Sequence, residues 1–133
     1  MKNTSFRVLC AIVLSFIASL GYAGGRYTNP PAGLLDVSDA CNKGLEAAQK
    51  KDTAAALEQA KIARKIAYES QKELSTMPME ISSSSTKKAI AALEAGNLDE
   101  AVANLTHCKQ KMDDEIAYYK SEGKITADGK LKK

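Results

Sequence analysis

The sequence has little aromatic or imidazole chemistry, with no tryptophan, two phenylalanines and one histidine among 133 residues. That histidine, His107, is the immediate neighbour of Cys108. Adjacent side chains of a helix point about 100° apart, so the two cannot form a nucleophile–base pair. The sequence also lacks a CxxC pair and a glycine-rich loop able to cradle phosphate. We therefore expect a protein that is not an enzyme.

Long apolar runs are missing except at the N-terminus. Val8 to Leu20 is almost wholly apolar and follows a short basic start. Gly21-Tyr22-Ala23 then supplies the small residues that a signal peptidase accepts. The run is shorter than the roughly 20 residues of a membrane-spanning helix. The pattern predicts a cleaved signal peptide at residues 1–23, a periplasmic or secreted protein, and no membrane span after cleavage.

An excess of charge of one sign is also missing. Loss of Lys2 and Arg7 with the signal peptide reduces the 19 basic residues to 17, against 16 acidic residues. Nucleic-acid binding needs clustered, uncompensated Lys and Arg, so we expect no nucleic-acid partner. Lysines dominate only in residues 123–133, which we expect to be a flexible basic C-terminal tail.

What the sequence does contain is helical periodicity. Residues 24–35, punctuated by Gly and Pro, predict an irregular leader, and residues 36–122 predict one helical domain. Polar residues stand at the expected N-caps of the first, second and fourth helices: Asp36, Asp52 and Asn97. Glu100 completes an approximate capping box with Asn97.

The start of the third helix is open on sequence grounds. It falls between Pro78 and Thr86, because Pro78 suits a first helical turn and the preceding helix ends near it. The four serines at residues 82–85 fit either a helix or a capped loop.

The apolar positions repeat at an interval of about 45 residues. Aligned positions are apolar in both copies: Leu45 with Ile90, Ala48 with Leu93, Ala60 with Leu105, Ala63 with Cys108, and Ala67 with Met112. Each copy predicts a helix–turn–helix hairpin that cannot bury its apolar face alone. We therefore predict an all-α fold, an antiparallel up-down four-helix bundle built from two helical hairpins.

This repeat also places two cysteines opposite each other. Cys10 leaves with the signal peptide, and Cys41 and Cys108 remain in a compartment that permits disulfides. Both lie about 15 Å from the same end of the bundle at 1.5 Å rise per residue, on the apolar faces of neighbouring helices. The hypothesis is a Cys41–Cys108 disulfide; the alternative is two buried free thiols.

Metal binding is the main candidate chemistry. Glu100, His107 and Asp114 fall along one stripe of the fourth helix. One imidazole with flanking carboxylates could hold copper, nickel or zinc weakly, and the alternative is a solvated face with charge pairs. Met77-Pro78-Met79 offers thioethers for Cu(I), although two methionines around a proline also suit loop packing.

The chain resembles the small metal-binding protein family. The matching stretches are Gly44 to Lys61 (GLEAAQKKD…LEQAK) and Ala89 to Val102 (AIAALEAG…AV), and the resemblance covers most of residues 37–121. It implies an exported bacterial four-helix protein that binds divalent metals such as copper. The family's ligands are histidines recurring at roughly heptad intervals, of which this chain has His107 alone.

A second resemblance concerns the turn between the third and fourth helices. Ala89, Leu93, Gly96, Asn97 and Ala101 are spaced as in tetratricopeptide repeats, which bind peptides in a concave groove. The period here is about 45 residues rather than 34, and two hairpins are too few for a groove, so a closed bundle is favoured.

Two functions follow as expectations. The first is a periplasmic bundle that buffers or carries a divalent metal, with the metal ion as its partner. The alternative is a structural or protein-interaction module of the cell envelope that has lost metal binding and has an unknown envelope protein as its partner.

Overall fold

The computed structural model describes residues 26–133, which form four α-helices. They are α1 (Leu34–Gln49), α2 (Thr53–Glu73), α3 (Met77–Glu94) and α4 (Leu98–Ser121). The predicted signal peptide at residues 1–23 lies outside the described residues. No helix within the described range is both long enough and apolar enough to cross a membrane.

The helices form a closed bundle. Each one packs against its neighbours in sequence, α1 also packs against α4, and α1 and α3 meet only weakly across the diagonal. Connections of three residues join successive helices, and such short links place neighbouring helices antiparallel. The prediction of an all-α four-helix bundle is confirmed.

The turns at one end of the bundle use the predicted caps. Asp52 Oδ1 accepts a hydrogen bond of 3.1 Å from Ala55 N, and Asn97 Oδ1 accepts one of 3.2 Å from Glu100 N. Asn97 Nδ2 also donates to Glu100 Oε2 at 3.0 Å. The capping predictions for α2 and α4 are therefore confirmed, with side chain–side chain pairing in the second case.

The predicted cap of α1 is wrong. The N-cap is Gly33, with φ of 77°, and Asp36 lies within the first turn without capping it. A Cβ atom on Gly33 would stand 2.5 Å from Ile66 Cγ2. Close approach to α2 and a left-handed backbone both require glycine here, so α1 begins earlier than the spacing of its acidic residues indicated.

All four serines of the third helix are helical. α3 begins at Met77, and Pro78 occupies its first turn, where no backbone N–H is needed. Ser82, Ser85 and Thr86 are buried against the core. Thr86 Oγ1 donates to Ser82 O at 2.7 Å, which satisfies one buried hydroxyl inside the helix.

The core is divided into two clusters along the bundle. The cluster near the Asp52 and Asn97 turns is made of small and branched aliphatic residues, among them Ala56, Ala60, Leu93 and Leu105. The other cluster holds the larger and sulfur-containing residues: Cys41, Cys108, Met79, Met112 and Tyr119. Every one of the latter five is at most 1% exposed.

The C-terminal segment differs from the solvated tail that its lysines predict. Ile125 is 2% exposed and belongs to the core cluster of Cys41 and Cys108. Thr126 N donates to Lys130 O at 2.8 Å, and Lys132 N donates to Lys124 O at 3.0 Å, which folds the segment into a small hairpin. Burial of one isoleucine holds this segment against the bundle, while its lysines remain largely exposed.

Candidate functional site

The two cysteines form the predicted disulfide. Cys41 of α1 is bonded to Cys108 of α4, with a Cα–Cα distance of 6.2 Å. Both residues are fully buried in the core. The hypothesis of a Cys41–Cys108 disulfide is confirmed, and its burial makes it a structural crosslink between the first and last helices.

The three predicted metal ligands are not brought together. Glu100, His107 and Asp114 follow one another along α4 at intervals of seven residues. At 1.5 Å rise per residue, each interval is about 10 Å along the helix axis. Glu100 is also engaged with Asn97 in the cap of α4. Residues 26–133 contain no group of three or more His, Cys, Asp or Glu side chains able to hold one metal ion.

His107 faces the neighbouring helix instead. Its Nδ1 atom is hydrogen-bonded to Ser85 Oγ of α3 at 2.9 Å. The two residues line an open groove of about 380 Å³ between α3 and α4, together with Met77, Glu80 and Lys88. Sequence periodicity along α4 could not identify Ser85 as the partner of His107 or place Glu80 in the same groove, because both residues lie on α3.

The two methionines around Pro78 point to different environments. Met77 is 73% exposed, whereas Met79 is fully buried in the core cluster that also contains Met112. Met77 and Met79 therefore do not form a shared thioether pair, and Met79 packs as a core side chain.

A second cavity lies at the opposite end of the bundle from the capped turns. It has a volume of about 230 Å³ and is bounded by the leader, the start of α3 and the end of α4. Asp114, the third predicted ligand, lines this cavity beside Glu115. We call it the pole cavity. Its apolar wall includes Tyr27, Met77 and Ile81.

The pole cavity contains a buried carboxylate. The side chain of Glu115 is 8% exposed and meets Arg26 through an Nε–Oε2 contact of 3.4 Å. Burial raises the pKa of Glu115, the Arg26 charge opposes that rise, and the neighbouring Asp114 charge adds to it. The guanidinium of Arg26 also stacks over the Tyr118 ring, 4.2 Å from its centroid.

Two tyrosines fix the leader over the pole cavity. Tyr119 Oη donates to Tyr27 O at 2.8 Å, and Tyr27 Oη donates to Ser75 O at 3.1 Å. The leader is thereby tied both to α4 and to the link between α2 and α3. Burial also raises the pKa of Tyr119, which keeps its hydroxyl a donor.

Comparison of the chain with protein-family models, with curated proteins and with solved structures finds no match.

Proposed function

We propose that this chain is an exported, non-enzymatic four-helix protein that buffers or carries a divalent metal ion, bound weakly at His107. The hydrogen bond between His107 Nδ1 and Ser85 Oγ carries the proposal. A metal-binding histidine uses one ring nitrogen for the ion, and a partner on the other nitrogen fixes the orientation of the ring.

Export is supported by the N-terminal sequence, in which a basic start, a short apolar run and small residues precede the bundle. The buried disulfide suits an oxidising compartment.

The chemistry of the groove supports a weak site. In the tautomer whose Nδ1–H donates to Ser85 Oγ, Nε2 of His107 is the nitrogen that can take the metal. Glu80 lines the same groove and supplies a carboxylate, whereas Lys88 adds an opposing positive charge. One imidazole and one carboxylate, completed by water, suit Cu²⁺, Ni²⁺ or Zn²⁺. Such a site favours exchange over permanent retention, as a buffer or carrier requires.

Isothermal titration with Cu²⁺, Ni²⁺ and Zn²⁺ tests the proposal. We expect binding at about micromolar Kd that His107→Ala abolishes. Ser85→Ala should weaken it by about tenfold, the usual effect of losing such a supporting hydrogen bond. Glu100→Ala is the matched control, because Glu100 lies away from the groove in the cap of α4. The absence of any heat of binding with all three ions, or binding that survives His107→Ala, would contradict metal binding at this site.

A second candidate function is a protein-interaction module of the cell envelope. It is favoured by three exposed apolar side chains at the pole: Tyr27, Leu74 and Met77 are 43%, 44% and 73% exposed. The hydrogen bond from Tyr27 Oη to Ser75 O places Tyr27 beside the link between α2 and α3 that contains Leu74, and Tyr27 and Met77 line the same cavity. Exposed apolar groups gathered in one place are typical of docking surfaces.

Crosslinking in envelope extract separates the two candidates. A specific crosslinked product lost in the double variant Leu74→Ser, Met77→Ser, and kept in Ile62→Ser, supports the interaction module. Ile62 is a suitable control because it is 40% exposed and lies on α2. No product, together with metal binding at His107, favours the metal carrier.

A further inference from the structure

We propose that the pole cavity binds a small organic cation, with its ammonium group at Glu115 and its apolar body against Tyr27, Met77 and Ile81. The proposed site does not use His107, although Met77 and Ile81 line both the pole cavity and the groove beside His107. It rests on where charge is buried, on the placement of Arg26, and on one unpartnered hydroxyl.

Equal numbers of cations and anions line the cavity, but these charges differ in how deeply they are buried. Arg26 and Lys111 line it as cations, and Asp114 and Glu115 line it as anions. Only Glu115 is buried, whereas the Arg26 side chain is 50% exposed and Asp114 is exposed. The inner end of the cavity therefore presents a carboxylate between apolar walls. A buried carboxylate of this kind is stabilised by a closely placed cation.

Arg26 is the cation closest to Glu115, but its contact with the carboxylate is not the strongest that an arginine can make. Its Nε atom lies 3.4 Å from Glu115 Oε2, which is longer than the charge-assisted hydrogen bonds of about 2.7–2.9 Å that an arginine fork can make to a carboxylate. Its guanidinium has a second support on the Tyr118 ring. An incoming ammonium group can replace Arg26 at Glu115 while Arg26 stays stacked on Tyr118.

Thr76 gives the wall an unused polar group. It is the N-cap residue of α3, yet its side chain makes no capping hydrogen bond. Its Oγ1 atom is buried without a hydrogen-bond partner among the described residues, and the residue is 5% exposed. Thr76 lines the pole cavity. A buried hydroxyl without a partner is unfavourable, and an ammonium donor would supply that partner once a change of χ1 rotamer turns Oγ1 into the cavity.

The apolar walls and the volume of the pole cavity determine which apolar body the ligand can have. Aromatic and thioether groups suit the body of an organic amine, and tyrosine rings also attract cations. The volume of about 230 Å³ is below that of common ligand sites, which is about 300–1,000 Å³. The cavity therefore fits a small monoamine with one ring or a short chain.

The test is a titration of the purified oxidised protein with phenethylamine, followed by NMR shifts of backbone amides near Glu115 and Thr76. 2-Phenylethanol and 3-phenylpropionate serve as neutral and anionic probes of similar shape. We expect saturable binding of the amine alone, weakened by about tenfold or more in Glu115→Gln, because a charge-assisted hydrogen bond is lost. Thr76→Val should weaken it to a smaller extent.

Two further variants make the result decisive. Arg26→Ala should tighten amine binding, because it removes the competing cation, and a variant that merely loosened the fold would not do so. Asp113→Asn is the matched control, since Asp113 lies outside the cavity and pairs with Lys109. Equal binding of the alcohol, tighter binding of the carboxylate, weaker binding in Arg26→Ala, or no binding of the amine would each overturn the proposal.

Discussion

Glu115 shows how one side chain acquires its chemistry from residues distant in sequence. In α4 it is one of three consecutive acidic residues, Asp113, Asp114 and Glu115. Its neighbours Asp113 and Asp114 are exposed, while Glu115 turns inward beneath the leader and meets Arg26. Its buried carboxylate is the least solvated charge of the pole cavity, and its protonation should be visible in the stability of the fold.

Replacing Glu115 by glutamine should change how stability depends on pH. Because burial raises the pKa of Glu115 above its ordinary 4.5, the folded state holds the proton more tightly than the unfolded chain does. The advantage of the natural protein over Glu115→Gln in free energy of unfolding is therefore greatest below pH 4.5. It falls as the pH rises through the raised pKa. Urea denaturation of both proteins at a series of pH values measures the difference.

High salt is a useful control for this pH experiment. Salt screens the attraction of the half-exposed Arg26 more than it changes the burial of Glu115. The fall of stability with pH should therefore persist or steepen at high salt. A difference that increases with pH would mean that Arg26 outweighs burial.

At the scale of elements, local chemistry determines where α2 and α4 begin. Asp52 and Asn97 sit directly before these helices, and each accepts a hydrogen bond from a backbone amide three residues ahead. Asp36 has the same residue type but no such role, because α1 begins at Leu34 behind Gly33. Asp36 acts on α1 only through its charge in the first turn.

Alanine substitution should destabilise the protein more at an N-cap residue than at an acidic residue in the first turn of a helix. Asp52→Ala and Asn97→Ala should each lower the free energy of unfolding by about 1 kcal/mol, because an amide at the helix end loses its partner. Asp36→Ala is the comparison and should cost about 0.5 kcal/mol or less, since only a dipole interaction is lost. Chemical denaturation at neutral pH measures all three. An equal loss at the three positions would contradict the assignment of Gly33 as the cap of α1.

At the scale of the whole molecule, a modest core is combined with one covalent link. Many inward positions are alanine, serine or threonine, including Ala56, Ala63 and Ser82, which bury little apolar area each. The Cys41–Cys108 bond joins α1 to α4 across a sequence separation of 67 residues. It thereby connects the two helices that close the bundle.

Removing this bond should markedly destabilise the protein. Closing a loop of this length restricts the unfolded chain by an amount worth roughly 4 kcal/mol. We expect the double variant Cys41→Ala, Cys108→Ala to lose about that much in urea denaturation, with helical content retained in the absence of urea. The oxidised natural protein with and without a reducing agent provides the control. A loss below about 1 kcal/mol would show that the unfolded chain gains little freedom on reduction.

The architecture and the disulfide could be predicted from the sequence because both depend on spacing along helices. The 45-residue repeat identified the paired hairpins, and counting residues from the shared turns placed Cys41 level with Cys108. The N-cap roles of Asp52 and Asn97 could also be predicted from the sequence, because an N-cap side chain bonds to a backbone amide only three residues ahead.

Contacts between distant elements were decided only by the tertiary structure. The spacing of Glu100, His107 and Asp114 puts them on one face, yet neighbours on that face are separated by whole turns. The partner of His107 came from α3, and that of Glu115 came from the leader. Ile125, in a segment predicted to be solvated, is buried against the bundle. Periodicity specifies which side of a helix turns inward; packing of the separate segments decides which side chains then meet.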